Sequence, residues 1–230
     1  MSDGVVIACA LGGALAGALL TVVIERVPSR RPLLAPPFPE ITQSVRERWG
    51  IVIVLLTAAL FGGIGHEFHR GWVVAAFLVL VASLIALSMI DLRHLILPNR
   101  IVGPLTIASL VLLGVAAISG HDGDPFLRAL ACGAGTFTAF LVLHLISPRA
   151  LGFGDVKLSF VLGLNLGWLG VGETIVGMFL GFVFGALIGL FLLATRLRSR
   201  KDHVPFGPFL AAGAITALFV GDAIVDWYRR

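Results

Sequence analysis

The chain has 230 residues, of which 58% are apolar and only 13% charged, with a mean hydropathy of +1.00. Water-soluble domains carry about 25% charged residues, so a soluble globule, a disordered chain and a collagen-like fibre are excluded. A net charge of +4 from 17 basic and 13 acidic residues is too small an excess to point to a nucleic-acid partner, and none is expected.

Uncharged stretches run over 4–24, 49–65, 71–90, 101–120, 129–148, 158–172, 174–195 and 204–221. A bilayer's hydrocarbon core is crossed by about 20 apolar helical residues. Most stretches reach that length alone, and the sixth reaches it by taking in residues upstream of Leu158. The expectation is an all-α polytopic membrane protein of about eight transmembrane helices, forming a single integral-membrane domain over 1–230. The first stretch lacks a basic n-region and continues directly into Glu25 and Arg26. It therefore reads as a retained helix and not as a signal peptide.

Basic residues set the orientation. Connectors 25–48, 91–100, 149–157 and 196–202 hold thirteen Lys and Arg, whereas the opposite side has only Arg70, Arg128, Arg229 and Arg230. Positive charge gathers on the cytoplasmic face, so these four connectors are expected inside and both termini outside. Connector 25–48 carries Pro28, Pro32, Pro36, Pro37 and Pro39, which forbid a regular helix through its first half. A short surface turn is expected around 41–48. The two cysteines, Cys9 and Cys132, lie in separate apolar runs, which gives neither a disulfide framework nor a zinc site.

Carboxylates near a membrane core are costly, so each is a functional candidate. Asp91 ends the third stretch and Asp155 opens the sixth, which places both at the cytosolic face. Two carboxyls around one water cannot both ionise easily, and such a pair supplies a base to activate water and an acid to protonate the leaving amine. By helix position, Asp155 near an N-terminus is expected to rest as the anion and base, and Asp91 near a C-terminus as the protonated acid. Gly152 and Gly154 beside Asp155 remove side chains where a substrate backbone would approach. The same acids would also serve a proton-coupled transporter or channel, which predicts helices broken near the midplane and paired half-chain symmetry.

Other signals carry less. His66 and His69 are three apart, not the four of a zinc-protease helix. His144 is expected to be a hydrogen-bonded interior histidine, and Asp222 and Asp226 a solvated helix end. Arg93 and His94 lie close to Asp91 in sequence but are not expected to act directly. Glycines 177, 181, 185 and 189 recur every four residues, a spacing that lets another helix approach closely. Internal packing is the first expectation there, and a groove for a substrate helix the second.

Four strings, taken in order, carry a resemblance. Asp91-Leu-Arg-His-Leu-Ile-Leu-Pro98-Asn99 resembles the first aspartate motif of bacterial type IV prepilin peptidases, and Gly152-Phe-Gly154-Asp155-Val-Lys157 resembles their GxGDxK motif. Pro205-Phe206-Gly207-Pro208 is similar to the stretch opening their last helix, and Gly17 to Pro28 to their first helix and its exit. The resemblance implies a GxGD-type intramembrane aspartyl protease of the bacterial inner (plasma) membrane. Such an enzyme removes the leader of a prepilin or pseudopilin precursor at the cytosolic face, after a glycine, with Asp91 and Asp155 catalytic. Gly152, Gly154, Lys157, Pro98, Asn99, Pro205 and Gly207 take the remaining motif positions, Lys157 as an interfacial anchor. Besides the precursor, membrane lipid is the expected partner. Many members also carry two CxxC pairs that bind zinc in a longer first connector, and methylate the new N-terminus with S-adenosylmethionine. Connector 25–48 has no cysteine, so no metal is expected, and S-adenosylmethionine only if methyl transfer is retained.

Overall fold

The computed structural model describes residues 3–28, 49–68, 71–148, 151–195 and 204–230. Among them it contains helices and no strand: α1 Asp3–Arg26, α2 Gly50–Glu67, α3 Gly71–His94, α4 Asn99–Gly120, α5 Asp124–Ile146, α6 Phe153–Leu169, α7 Val171–Ala194 and α8 Gly207–Tyr228. Seven are long and apolar enough to cross a membrane. The helix is the only open-chain form that satisfies every backbone donor and acceptor away from water. The exception, α6, has 17 residues, about 25 Å of helix. Residues 29–48, with the turn expected at 41–48, and the basic run at 196–203 lie outside the described residues.

The chain divides into two compact units, one from Met1–Ile90 and Pro98–Ala116, the other from Asp91–Leu97 and Ala117–Arg230. In the first, α1 packs along α2. A Cβ on Gly13 would lie 2.7 Å from the Thr57 carbonyl oxygen and 2.8 Å from Ala58 Cα, and one on Gly17 2.7 Å from Val54 Cα. Glycine is needed there because the obstacle is backbone. Phe68 and Phe77 meet edge to face, 4.7 Å between centroids, within the favoured range for aromatic pairs.

In the second unit, α5 packs along α6 and α7 along α8, and α6 also touches both α7 and α8. From Leu158 to Trp168 only Phe160 on α6 is not fully buried, so α6 is enclosed by its neighbours and its shortness costs little exposure to lipid. Two of its buried side chains donate within the helix: Ser159 Oγ to the Val156 carbonyl at 2.8 Å, and Asn165 Nδ2 to that of Val161 at 2.8 Å. Arg128 on α5 donates to the carbonyls of Gly167 (3.0 Å), Trp168 (2.7 Å) and Leu169 (3.2 Å). That closes the C-terminus of α6 with a positive charge where the helix dipole favours one.

The glycine ladder of α7 is taken up by packing. A Cβ on Gly177 would meet Leu166 and Ala217, one on Gly181 the backbone of Leu210, and one on Gly185 the ring of Phe206. Only Gly189 of the four faces open space, so a groove for a substrate helix is not available at the other three.

Two helix ends turn on residues with positive φ. His121 (φ 52°) follows α4, and Leu95 (φ 55°) follows α3. Leu95 donates its N–H to the Asp91 carbonyl at 2.9 Å, the single closing bond of an αL cap, a position that glycine ordinarily fills.

Candidate active site

The site is built at three helix ends of the second unit. Asp91 lies in the last turn of α3, and its carboxylate reaches the start of α8, where Oδ2 accepts the Gly207 N–H at 3.1 Å. That N–H is one of the four that a helix start leaves without an internal partner. Asp155 is the third residue of α6. Its Oδ2 accepts the Gly152 N–H at 3.1 Å, while its own N–H donates to the Gly152 carbonyl at 3.0 Å. This is the carboxylate half of a capping box, with glycine as the N-cap. Both acids are nearly sealed, Asp91 5% and Asp155 7% exposed.

Each acid therefore meets a helix start. The contrast expected from helix position does not hold, because Asp91 sits near the C-terminus of its own helix but against the N-terminus of α8. What separates the two is their second oxygen: Asp155 Oδ1 is buried with no hydrogen-bond partner among the described residues. Such a group costs about 1–3 kcal/mol.

The glycines of the site serve side chains. A Cβ on Gly207 would lie 2.8 Å from Asp91 Oδ2, and one on Gly152 3.3 Å from Asp155 Oδ2. A Cβ on Gly154 would lie 2.9 Å from Leu97 Cβ. The space that glycine opens at 154 is thus filled by a leucine from the α3–α4 connection, a residue to which no sequence signal points.

Lys157 places its ammonium 4.9 Å from the centroid of the Phe153 ring. Pro98 precedes α4 and its carbonyl accepts from Ile101 at 2.9 Å; Asn99 is the first residue of that helix. Pro205 lies two residues before α8 and is half-buried. His144 Nδ1 is 2.7 Å from the Leu151 carbonyl, which can only accept, so Nδ1 carries the proton. Its ring stacks at a tilt on Phe153, 5.6 Å between centroids. Arg93, His94, Asp222 and Asp226 are exposed. His69 lies outside the described residues.

The model of the type IV leader peptidase family matches residues 78–190, a span that holds both acids and the GxGDxK string but ends before Gly207. The chain is similar to the prepilin leader peptidase/N-methyltransferase of Aeromonas hydrophila, 32% identical over 77% of this chain and 60% of that protein. The same is true of the protein so named in Pseudomonas aeruginosa, 32% identical over 78% and 61%, and in Bacillus subtilis, 30% identical over 76% and 68%. The chain thus spans about three fifths of the length of the Aeromonas and Pseudomonas relatives. No solved structure matches it.

Proposed function

This chain belongs to the type IV leader peptidase family, and from that premise we propose that it is a membrane-embedded aspartic endopeptidase that cuts the N-terminal leader from type IV pilin-like precursors. The observation that carries the reading is the pair of sealed acids, each tied by one oxygen to a helix start, with Asp155 Oδ1 left unpartnered. A purely structural carboxylate buried at such cost would ordinarily find a second partner.

In this mechanism one water lies between the carboxyls of Asp91 and Asp155. The ionised one takes a proton as the water oxygen attacks the peptide carbonyl carbon, and the protonated one gives its proton to the carbonyl oxygen. The tetrahedral intermediate then collapses, a proton passes to the leaving amine, and a new carboxylate and a new N-terminus separate. The backbone N–H groups of Gly152 and Gly207 hold the two acids in place before substrate arrives, which is where most of the catalytic advantage of a preorganised site arises. No covalent enzyme intermediate and no metal ion is needed. The precursor must unwind around its scissile bond, because a carbonyl engaged in a helix's own hydrogen bonds is a poor electrophile.

The surplus of Lys and Arg in the four connectors supports a cytosolic active site in a bacterial inner membrane, with lipid around the bundle. The absence of cysteine from 25–48 supports a peptidase without the zinc-bearing connector. Methyl transfer from S-adenosylmethionine is not part of the reading. The transporter alternative is weakened, since the spans described run as unbroken helices and the acids lie at helix ends.

The test is to incubate purified protein in detergent or bicelles with a pilin-like precursor and weigh the products. A leader and a shortened chain are expected, with no methyl-sized increment on the new N-terminus. An intact precursor, under conditions where a known family member cleaves it, overturns the reading.

A further inference from the structure

The α3–α4 connection brings one more side chain to the two acids. Leu95 and Ile96 are turned outward, 50% and 46% exposed, whereas Leu97 points in and is only partly exposed. Its Cβ, Cδ1 and Cγ lie 2.9, 3.2 and 3.4 Å from where a Cβ on Gly154 would stand, and its Cδ2 3.3 Å from the corresponding point on Gly207. Gly154 is the residue before Asp155, and Gly207 holds Asp91 by its N–H. One isobutyl group therefore touches the helix start that carries Asp155 and the helix start that holds Asp91 by its N–H.

The route by which Leu97 gets there is strained. Leu95 at φ 55° is in a region that costs a branched residue about 1–2 kcal/mol. Backbone held in such a region persists where the surroundings over-determine it, and such places gather at working sites. The turn at Leu95 is what sends Leu97 back toward Gly154 and Gly207.

We propose that Leu97 is a positioning residue: a wedge between the starts of α6 and α8 that fixes the separation of Asp155 and Asp91. The proposal rests on the peptidase reading for its consequence on rate, and its structural half stands without it. A carboxyl pair working on one water is sensitive to small displacements, and about 1 Å of misplacement can cost up to about 10²-fold in rate. Shortening Leu97 removes neither acid but frees their separation to drift, so the loss falls on kcat.

The experiment uses full-length protein with Cys9→Ala and Cys132→Ala, nitroxide labels at Phe153→Cys and Val204→Cys, and pulsed electron resonance to read the distance between the two helix starts. Leu97→Ala is expected to broaden or shift that distance distribution, and Leu97→Met, which keeps the volume, to restore it. In parallel, on the unlabelled protein, Leu97→Ala is expected to lower kcat by about 10- to 100-fold with KM nearly unchanged, and Leu97→Met to recover most of it. An unchanged distance distribution in Leu97→Ala overturns the wedge. So does a fall in KM or a rise in kcat/KM, which would make Leu97 a plug that substrate has to displace. If no precursor is cut by the parent protein while the distances respond as expected, the peptidase reading fails and the wedge survives.

Discussion

Along the α1–α2 seam, Gly13 and Gly17 let two backbones touch; at the starts of α6 and α8, Gly152, Gly154 and Gly207 make room for side chains instead. The obstacle to a Cβ on Gly13 is the Thr57 carbonyl and Ala58 Cα, neither of which can yield. At Gly207 the obstacle is the carboxylate of Asp91, and at Gly154 it is Leu97. The same residue type thus serves stability in one region and the geometry of two acids in the other. Substitutions should separate the regions by what they damage, folded yield or rate.

The largest effect is expected from the acids themselves. Asp91→Asn or Asp155→Asn keeps an oxygen able to accept the Gly207 or Gly152 N–H. Folded yield should therefore hold while cleavage, followed by mass spectrometry, falls by about 10²–10⁴-fold. Next, Gly207→Ala should push the Asp91 carboxylate off its bond and cost about 10- to 100-fold in kcat, with little change in thermal unfolding. The seam should behave in the opposite way: Gly13→Ala should lose about 1–3 kcal/mol of stability by overpacking, seen as a lower Tm, while the surviving folded protein keeps its specific activity. A fall in specific activity at constant Tm in Gly13→Ala would erase the distinction. The smallest effect is expected at Gly189, whose Cβ would meet nothing within 4 Å. Gly189→Ala should stay within about 0.5 kcal/mol in stability and cut at the parent rate.

The helices were legible in the sequence because apolar runs between charges are long and few. Their ends were less so. The uncharged run over 158–172 misses the start of α6 at Phe153, because Asp155 and Lys157 lie inside its first turns, and it overruns the break at Gly170. The run over 204–221 stops at Asp222, yet α8 continues to Tyr228 because Asp222 and Asp226 are on its exposed end. Asp91 and Asp155 stood out as acids beside long apolar runs, and the motif strings placed Gly207 near them in role. That Gly207 donates to Asp91 across 116 positions could not be read from either string. Leu97 was hidden for a different reason. It is one of four branched apolar residues after Asp91, and the one that turns inward is decided by the positive φ of Leu95, a conformation that its residue type disfavours.

The central claim is that Asp91 and Asp155 act as one unit on one water. It is tested most directly by the rates of Asp91→Asn, Asp155→Asn and the double variant at equal folded protein. Residues that work as a unit lose as much singly as together. The account predicts that all three variants share one residual rate; losses that multiply in the double variant, or cleavage retained in either single one, would contradict it.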